Sequence, residues 1–311
     1  MMLKPRLVLS ACLNLERTRY DGKLIENPVA IKLRNFCDVI SVCPEISIGL
    51  SVPREKIILY KDSKKIKAVE IFTGKDFTEK LISFSKETIR NFPEIEGFFL
   101  KSKSPSCGVS HKTKTYKDIE GEHLYGKSQG IFAKQILKAF PLLPVVDEEI
   151  IKNKDELENF FIRIFALRRL RELKEKAKDK RDIISFHKKA YHLLMSYDPS
   201  GFREIERFLF SKDTAFKEIL KRYENYFKKT LAKPFSRGKQ INAILHILEN
   251  FSKHLGEREK ARIFHFIENY KRRKIVLSRV IRELKSLLQE KGKTFPEFYL
   301  EPYPEELEEL F

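Results

Sequence analysis

The alternation of apolar and amphipathic segments through the first 150 residues is the strongest constraint on the fold. The predicted strands cover residues 6–10, 38–42, 56–60, 68–72, 97–100 and 143–146, and the predicted helices cover 28–36, 76–91 and 130–140. Strands that alternate with helices form a mostly parallel sheet with right-handed crossovers. Residues 56–60 and 68–72 are the exception, because a charged turn at 61–65 between them favours a hairpin. The pattern predicts an α/β, Rossmann-like domain over residues 1–150.

The second half of the chain has a different pattern, typical of long helices. Predicted helices cover residues 157–178, 182–197, 202–211, 213–231, 236–254, 257–269 and 272–291. Neither a phosphate-binding loop nor a metal-ligand spacing occurs in this half. We therefore predict an all-α domain over residues 151–311.

Three of the four cysteines follow predicted strands directly. Cys12 follows 6–10, Cys43 follows 38–42, and Cys107 lies in the loop L-K-S-K-S-P-S-C-G after 97–100. Because the carboxyl ends of parallel strands meet at one edge of a sheet, the three thiols could converge there. Soft thiolates suit an iron–sulfur cluster, and three ligands would leave one iron of a [4Fe–4S] cluster open to substrate. Buried free cysteines are the alternative, and Cys37 fits that alternative best.

Polar residues accompany these cysteines. Glu45 is two positions after Cys43, where it could serve as a general acid or base, or lie on the surface. The loop serines could contact the cluster or the substrate, or they could only support a turn. The candidate pocket residues are Ser10, Asp21, Arg54, Lys101, Ser102, Ser104 and Ser106.

The net charge of +18 is unevenly distributed. Residues 1–150 carry 25 basic and 19 acidic side chains, whereas residues 151–311 carry 37 and 25. A basic second half favours a polyanionic partner such as nucleic acid. A Lys/Glu-rich surface of a heat-adapted protein is the alternative.

The chain contains no segment of the roughly 18 apolar residues that would span a bilayer. The Leu9-Ser10-Ala11-Cys12 segment resembles a lipoprotein cleavage site, but its apolar run is shorter than a signal-peptide core. We therefore expect a cytoplasmic protein with neither a membrane association nor an obligate protein partner. In that compartment cysteines are more often metal ligands or catalytic groups than disulfides.

Five short motifs occur in order over about residues 4–148: S-A-C-L, R-Y-D-G, V-C-P-E, V-P-R and K-S-x-S-P-S-C-G. Together they resemble the thiouracil desulfidase (TudS) family. The resemblance implies a [4Fe–4S] cluster held by Cys12, Cys43 and Cys107, with an open iron that captures the thiocarbonyl sulfur. It also implies that Glu45 is the catalytic carboxylate and that a loop serine assists, with Ser104 preferred to Ser106 and Ser102.

Residues 155–311 resemble YbgA-type domains. The resemblance rests on F-H-x-x-x-Y-x-L-L-x-S-Y from Phe186, R-x-x-x-x-N-x-x-L-H from Arg237, and Y-L-E-P-Y-P-E-E-L near the end. The fusion of the two domains is similar to the RudS family of tRNA 4-thiouridine desulfidases. It implies an enzyme that converts 4-thiouridine in tRNA to uridine. Two alternatives remain, a desulfidase of free thiouracil or thionucleosides and a non-enzymatic, nucleic-acid-binding iron–sulfur protein.

A tRNA substrate would need a basic surface to neutralise its phosphates, and its target base would have to leave the stack. The candidate residues for that surface are Arg168, Arg169, Arg171, Arg237, Lys239, Lys271, Arg272, Arg273 and Lys274.

Overall fold

The structure is a computed structural model that describes residues 4–63, 65–209, 215–292 and 297–311. The chain divides into two compact units, of which the first ends at Asn153 and the second begins at Lys154. Among the described residues, no helix is long and apolar enough to cross a membrane.

The first unit is built of short strands and helices. Its strands are β1 (Arg6–Ser10), β2 (Asp38–Val42), β3 (Ile57–Asp62), β4 (Lys65–Glu70), β5 (Gly97–Leu100), β6 (Thr113–Tyr116), β7 (Leu124–Ser128) and β8 (Val145–Asp147). Its helices are α1 (Pro28–Phe36), α2 (Pro44–Ser47), α3 (Thr78–Asn91) and α4 (Ile131–Ala139), followed by a 3-10 turn at Ile150–Lys152. The predicted α/β class is confirmed.

Four strands form a fully parallel sheet in the order β2-β1-β5-β8. The central strands β1 and β5 are almost continuously apolar, and β5 is buried along its whole length. Such runs are typical of parallel strands that are covered on both faces. Phe98 of β5 packs with Phe132 and Ile136 of α4 in the core beside this sheet. In this strand order β2, β1 and β5, the strands that precede Cys43, Cys12 and Cys107, are immediate neighbours.

The hairpin formed by β3 and β4 belongs to a second sheet, in the order β4-β3-β6-β7. Strand β6 pairs parallel to β3 and antiparallel to β7. The sequence pattern predicted the hairpin but not β6, β7 or the short helix α2. Strands β6 and β7 carry lysines and few apolar side chains, and β7 lies exposed or half-exposed throughout. The predicted turn of the hairpin includes Lys64, which lies outside the described residues.

The secondary-structure elements described in the second unit are all helices. Its helices are α5 (Lys154–Lys176), α6 (Lys180–Tyr197), α7 (Phe202–Leu209), α8 (Phe216–Leu231), α9 (Arg237–Phe251), α10 (Glu257–Lys271) and α11 (Leu277–Glu290), with 3-10 turns at Ser252–His254 and Glu305–Leu310. Residues 210–214, at the predicted boundary of two helices, lie outside the described residues. The predicted start of the last helix at residue 272 is wrong. Arg273 adopts a left-handed φ of 61°, which separates α10 from α11.

A buried carboxylate caps the N-terminus of α11. Glu158 accepts hydrogen bonds from the backbone N–H groups of Leu277 (2.8 Å) and Ser278 (2.6 Å) and from the Tyr303 hydroxyl (2.9 Å). Burial raises the pKa of Glu158 to about 7, although these hydrogen bonds act in the opposite direction. Burial also lowers the pKa of His187, on α6, to about 4.

Candidate active site

Three cysteines lie at the carboxyl ends of three neighbouring strands and line one cavity. Cys12 follows β1, Cys43 follows β2, and Cys107 lies in the loop after β5. The cavity has a volume of about 410 Å³, within the usual range for small-molecule sites. The structure thus brings together the three thiols that the sequence predicted to converge.

The thiols of the cavity are shielded from water. Cys107 is 6% exposed, and Cys12 and Cys43 are half-buried. Burial raises the pKa of Cys12 to about 12 and also raises the pKa values of Cys43 and Cys107, and the neighbouring thiols add to the rise at Cys12 and Cys107. Neutral, desolvated thiols are poor nucleophiles. They suit a metal-bound role better, because a bound cation displaces the thiol proton.

The donor set fits a cluster better than a single metal ion. Within the described residues, no three His, Cys, Asp or Glu side chains are close enough to hold one metal ion. In an iron–sulfur cluster each cysteine binds a different iron, so its sulfurs stand farther apart than the ligands of one ion. Three thiols around one cavity are compatible with that arrangement.

The fourth cysteine lies elsewhere. Cys37 caps the C-terminus of α1, at the end of β2 remote from Cys43, and is 4% exposed. It does not line the cavity. Its placement agrees with the prediction of a buried apolar residue.

Glu45 enters the cavity from the first turn of α2. Its Oε2 accepts hydrogen bonds from Arg54 Nε (3.1 Å) and Nη2 (2.5 Å), and its Oε1 accepts one from the Ser106 hydroxyl (3.0 Å). Arg54 is itself fixed by the carbonyl oxygens of Ser51 (3.0 Å) and Thr18 (3.1 Å). The Arg54 and Glu45 side chains are 6% and 13% exposed, so a largely desolvated ion pair forms one wall of the cavity.

The loop serines differ in their contacts. Ser104 lines the cavity, and its hydroxyl accepts hydrogen bonds from the backbone N–H groups of Ser106 (3.2 Å) and Cys107 (3.0 Å), which fixes the loop. Ser106 is fully buried and contacts Glu45, but it does not line the cavity. Ser102 is buried at the cavity wall, where its backbone N–H donates to Glu148.

The remaining predicted pocket residues divide into two groups. Ser10, Arg54 and Lys101 line the cavity, where Ser10 Oγ accepts from the Lys101 backbone N–H (2.9 Å) and Lys101 Nζ pairs with Glu148 (2.5 Å). Asp21 does not line it. Asp21 instead pairs at 2.9 Å with Arg19, which lines the cavity.

Several residues that line the cavity were not predicted from the sequence, and four of them are cationic or aromatic. Tyr20 lines the cavity with the Arg19 guanidinium 5.0 Å and the Lys56 ammonium 5.3 Å from its ring centroid. The R-Y-D-G motif contained the signal for Arg19 and Tyr20, although only its aspartate was selected. Lys103 also lines the cavity, and its φ of 57° is unusual for a side chain other than glycine.

A buried aspartate at the end of β8 anchors the segment that follows Cys107. Asp147 Oδ2 accepts from the backbone N–H groups of Val109 (3.0 Å) and Ser110 (2.7 Å) and from the Ser110 hydroxyl (2.7 Å). Its Oδ1 accepts from the backbone N–H groups of Glu149 (3.0 Å) and Ile150 (3.1 Å). The only sequence signal was its position at the end of a predicted strand.

The glycine of the S-C-G sequence is required by close packing. A Cβ atom at Gly108 would lie 2.9 Å from the Ser104 carbonyl oxygen and would also collide with the Thr113 hydroxyl. The backbone of the loop therefore folds tightly against β6, and a larger residue would displace Cys107.

The arginines predicted as phosphate contacts in α5 and α9 prove to be engaged within the protein. Arg168 and Arg171 are buried and pair with Glu172 (2.9 Å) and Glu175 (3.6 Å), so both predictions of an exposed phosphate contact are wrong. Arg237 pairs with Asp155 (2.5 Å).

Two further candidates also contact the protein itself. The Arg169 guanidinium lies 4.7 Å from the centroid of the Phe298 ring, and burial lowers the pKa of Arg169 to about 10. Lys239 Nζ donates to the Tyr197 carbonyl oxygen at 2.9 Å. The exposed candidates are Lys271, Arg272, Arg273 and Lys274, of which Arg272 pairs with Glu268 at 2.8 Å.

Comparison with known proteins agrees with this division of the chain. The model of the 2-thiouracil desulfurase family matches residues 7–148, and that of DUF1722, a family of unknown function, matches residues 192–304. The uncharacterized protein YbbK of Bacillus subtilis (strain 168) is 29% identical over 129 residues, which are 37% of this chain and 83% of YbbK. A solved structure of the [4Fe-4S]-dependent thiouracil desulfidase TudS is 22% identical, with a TM-score of 0.38, and the match covers 48% of this chain and 94% of that protein. The chain thus joins a domain of the 2-thiouracil desulfurase family to a domain of the DUF1722 family.

Proposed function

We propose that the protein is a [4Fe–4S]-dependent desulfidase that converts 4-thiouridine in tRNA to uridine and releases sulfide. The observation that carries the proposal is that Cys12, Cys43 and Cys107 line the same cavity as the Glu45 carboxylate. The desulfurase family of the first unit and the [4Fe-4S] cofactor of the similar TudS protein support this chemistry.

Cys12, Cys43 and Cys107 would hold the cluster as thiolates. When bound, the cluster supplies a thiophilic Lewis acid that polarises the C–S bond of the substrate. The exchange of sulfur for oxygen consumes one water molecule and releases one sulfide, so neither an oxidant nor a reductant is required.

The side chains around Glu45 have separate tasks in that exchange. The Glu45 carboxylate accepts a proton from the attacking water and returns it to the departing sulfide or to the ring. Arg54 and Ser106 hold both carboxylate oxygens in one orientation, which positions the base before the substrate arrives. Burial of the cavity wall limits the access of other water molecules.

The charge of the chain supports a tRNA substrate. The second unit contains the exposed basic segment 271–274, and the whole chain carries a net charge of +18. Cations of this kind neutralise backbone phosphates, while a small cavity accepts one base that has left its stack. Free thiouracil is a second candidate substrate, because the matched desulfurase family is named for that base.

The decisive experiment compares the two substrates under anaerobic conditions. Protein reconstituted with iron and sulfide is incubated with 4-thiouridine-containing tRNA or with free thiouracil, and loss of the thiocarbonyl absorbance and release of sulfide are followed. We expect efficient desulfuration of tRNA by the unchanged protein and none by Glu45→Gln. Turnover of free thiouracil without turnover of tRNA would overturn the tRNA substrate. Loaded protein that acts on neither would indicate a non-enzymatic iron–sulfur protein.

A further inference from the structure

A second cavity of the first unit shares a wall with the cysteine cavity. Its volume is about 500 Å³, and the residues common to both cavities are Ile57, Lys103 and Pro105. Four lysines line the second cavity, namely Lys103, Lys112, Lys114 and Lys127. We call these four residues the lysine face.

The positive charge of the lysine face is largely uncompensated. Lys114 on β6 and Lys127 on β7 are direct cross-strand partners, an arrangement in which like charges destabilise a sheet. Lys112, Lys114 and Lys127 are exposed, and none of the three forms an ion pair within the part of the chain that the structure describes. A bound anion would relieve this repulsion.

The acidic residue of the second cavity does not change this balance. The Glu149 carboxylate pairs with Lys103 (3.1 Å) and with Lys152 (2.8 Å), so two lysines already neutralise it. Three lysines of the face therefore remain for a ligand.

An aromatic ring lies among the lysines. Tyr116 lines the second cavity and is two positions after Lys114 on β6, so both side chains project from the same face of the strand. Lysines interleaved with an aromatic ring are typical of surfaces that follow a nucleic-acid backbone and stack its bases.

We propose that the lysine face binds the phosphodiester backbone of an RNA strand beside the nucleotide that enters the cysteine cavity. The inference rests on the proposed function and adds a second RNA contact, in the first unit, to the basic segment of the second unit. Lys103, at the shared wall, lies nearest the reacting nucleotide, whereas Lys112, Lys114 and Lys127 contact the neighbouring phosphates. Tyr116 stacks on an adjacent base. Because a free mononucleotide presents one phosphate group, the spread of lysines over the loop, β6 and β7 favours a strand.

Binding of RNA can be measured without the cluster. A fluorescein-labelled single-stranded RNA is titrated with the full-length protein, with Lys114→Gln/Lys127→Gln, and with the control Lys80→Gln/Lys86→Gln. The control lysines are exposed on α3 and line neither cavity, and their substitution removes the same total charge. Each lost phosphate contact lowers the slope of log K against log salt by about 0.7 on a single strand, so the two lysines together lower it by about 1.4. The affinity of the double variant should fall roughly 25-fold at about 0.1 M salt and converge with that of the unchanged protein near about 1 M.

Equal affinities and salt slopes for the double variant and its control would overturn the proposal. Turnover assays provide a second test, in which the double variant should raise KM for thiolated tRNA and leave turnover of free thiouracil unchanged. The proposal would also be overturned if the double variant lost turnover of free thiouracil to the same extent. A loss of turnover confined to a thiolated mononucleotide would overturn it as well. If the unchanged protein desulfurates no substrate, the proposed function fails, but the RNA titration still decides the role of the lysine face.

Discussion

The Ser106 hydroxyl donates a hydrogen bond to Glu45 Oε1 at 3.0 Å, although the two residues are 61 positions apart in the chain. Ser106 is fully buried and outside the cavity, so its contact with the site runs through the carboxylate. Ser104, the serine preferred from the sequence, instead fixes the loop amides of Ser106 and Cys107. These contacts favour Ser106 as a positioning residue and Ser104 as a loop residue that faces the cavity.

Ser106→Ala should lower kcat about tenfold, because a hydrogen bond to a charged group contributes about 1.5 kcal/mol or more. Iron content should stay unchanged, since the thiols keep their places. Ser104→Ala is the comparison, and it should lower the amount of iron retained because two loop amides lose their acceptor. Both effects can be measured by anaerobic turnover and by iron analysis. Full turnover in Ser106→Ala would remove its positioning role.

Arg54→Lys should lower kcat even though the positive charge is kept. The guanidinium donates from Nε and Nη2 to the same oxygen of Glu45, and a single ammonium cannot reproduce this planar geometry. Arg90→Lys, at an exposed position of α3, is the matched control and should keep its activity. Steady-state kinetics on cluster-loaded protein check the difference. Equal rates in the two variants would show that orientation of Glu45 does not limit turnover.

Serine substitution of any one cavity cysteine should abolish cluster retention and activity. Cys12→Ser, Cys43→Ser and Cys107→Ser each remove a soft ligand that the harder hydroxyl does not replace. Cys37→Ser should retain the cluster, because Cys37 lies away from the cavity. Iron and acid-labile sulfide per chain, together with visible absorbance, measure the outcome. A full complement of iron in Cys107→Ser would contradict three-cysteine ligation.

The parallel sheet and its cysteines could be predicted because the sequence signal for both is local. The structure places β1, β2 and β5 at the predicted bounds, since each is a short and mostly apolar run, of which β1 and β5 are buried. Their carboxyl ends then place the cysteines together without further information. Strands β6 and β7 carry lysines and lack an apolar run of this kind. Their place in the sheet depends on pairing with β3 and with each other, which a local pattern does not show.

The contacts of charged side chains could not be predicted from the sequence. Arg168 and Arg171 lie in a basic run that suggests an exposed surface, yet α5 is buried on most of its faces. Asp147 resembles the acidic residues that follow it, although its partners belong to the loop after Cys107. Both outcomes depend on tertiary contacts that local patterns do not contain.

The stability of the protein should depend on the ionisation of Glu158. Its pKa rises from 4.5 to about 7 in the folded state, so the folded protein binds a proton more tightly than the unfolded chain does. Stability is therefore lost as the pH rises between these values, by on the order of 3 kcal/mol. His187, whose pKa is lowered to about 4, acts in the opposite direction below about pH 6.5.

Comparison with Glu158→Gln isolates this contribution, because His187 is common to both proteins. At about pH 5 Glu158→Gln should be less stable than the unchanged protein, because an amide replaces a well-placed acceptor. By about pH 8 this difference should shrink, because only the unchanged protein loses stability as Glu158 ionises. Chemical unfolding followed by far-ultraviolet circular dichroism gives both values. A stability difference that is the same at both pH values would contradict a titrating Glu158.

The anchoring of the cysteine loop by Asp147 has a consequence for the biosynthesis of the protein. A nascent chain that has emerged from the ribosome beyond Cys107, but not yet as far as Asp147, holds two cysteines on formed strands and a third on an untethered loop. Asp147 accepts the amides of Val109 and Ser110 only once β8 has paired with β5. The cysteine loop should therefore become ordered only after β8 has been synthesised, at a stage when the helices of the second unit are still to be made.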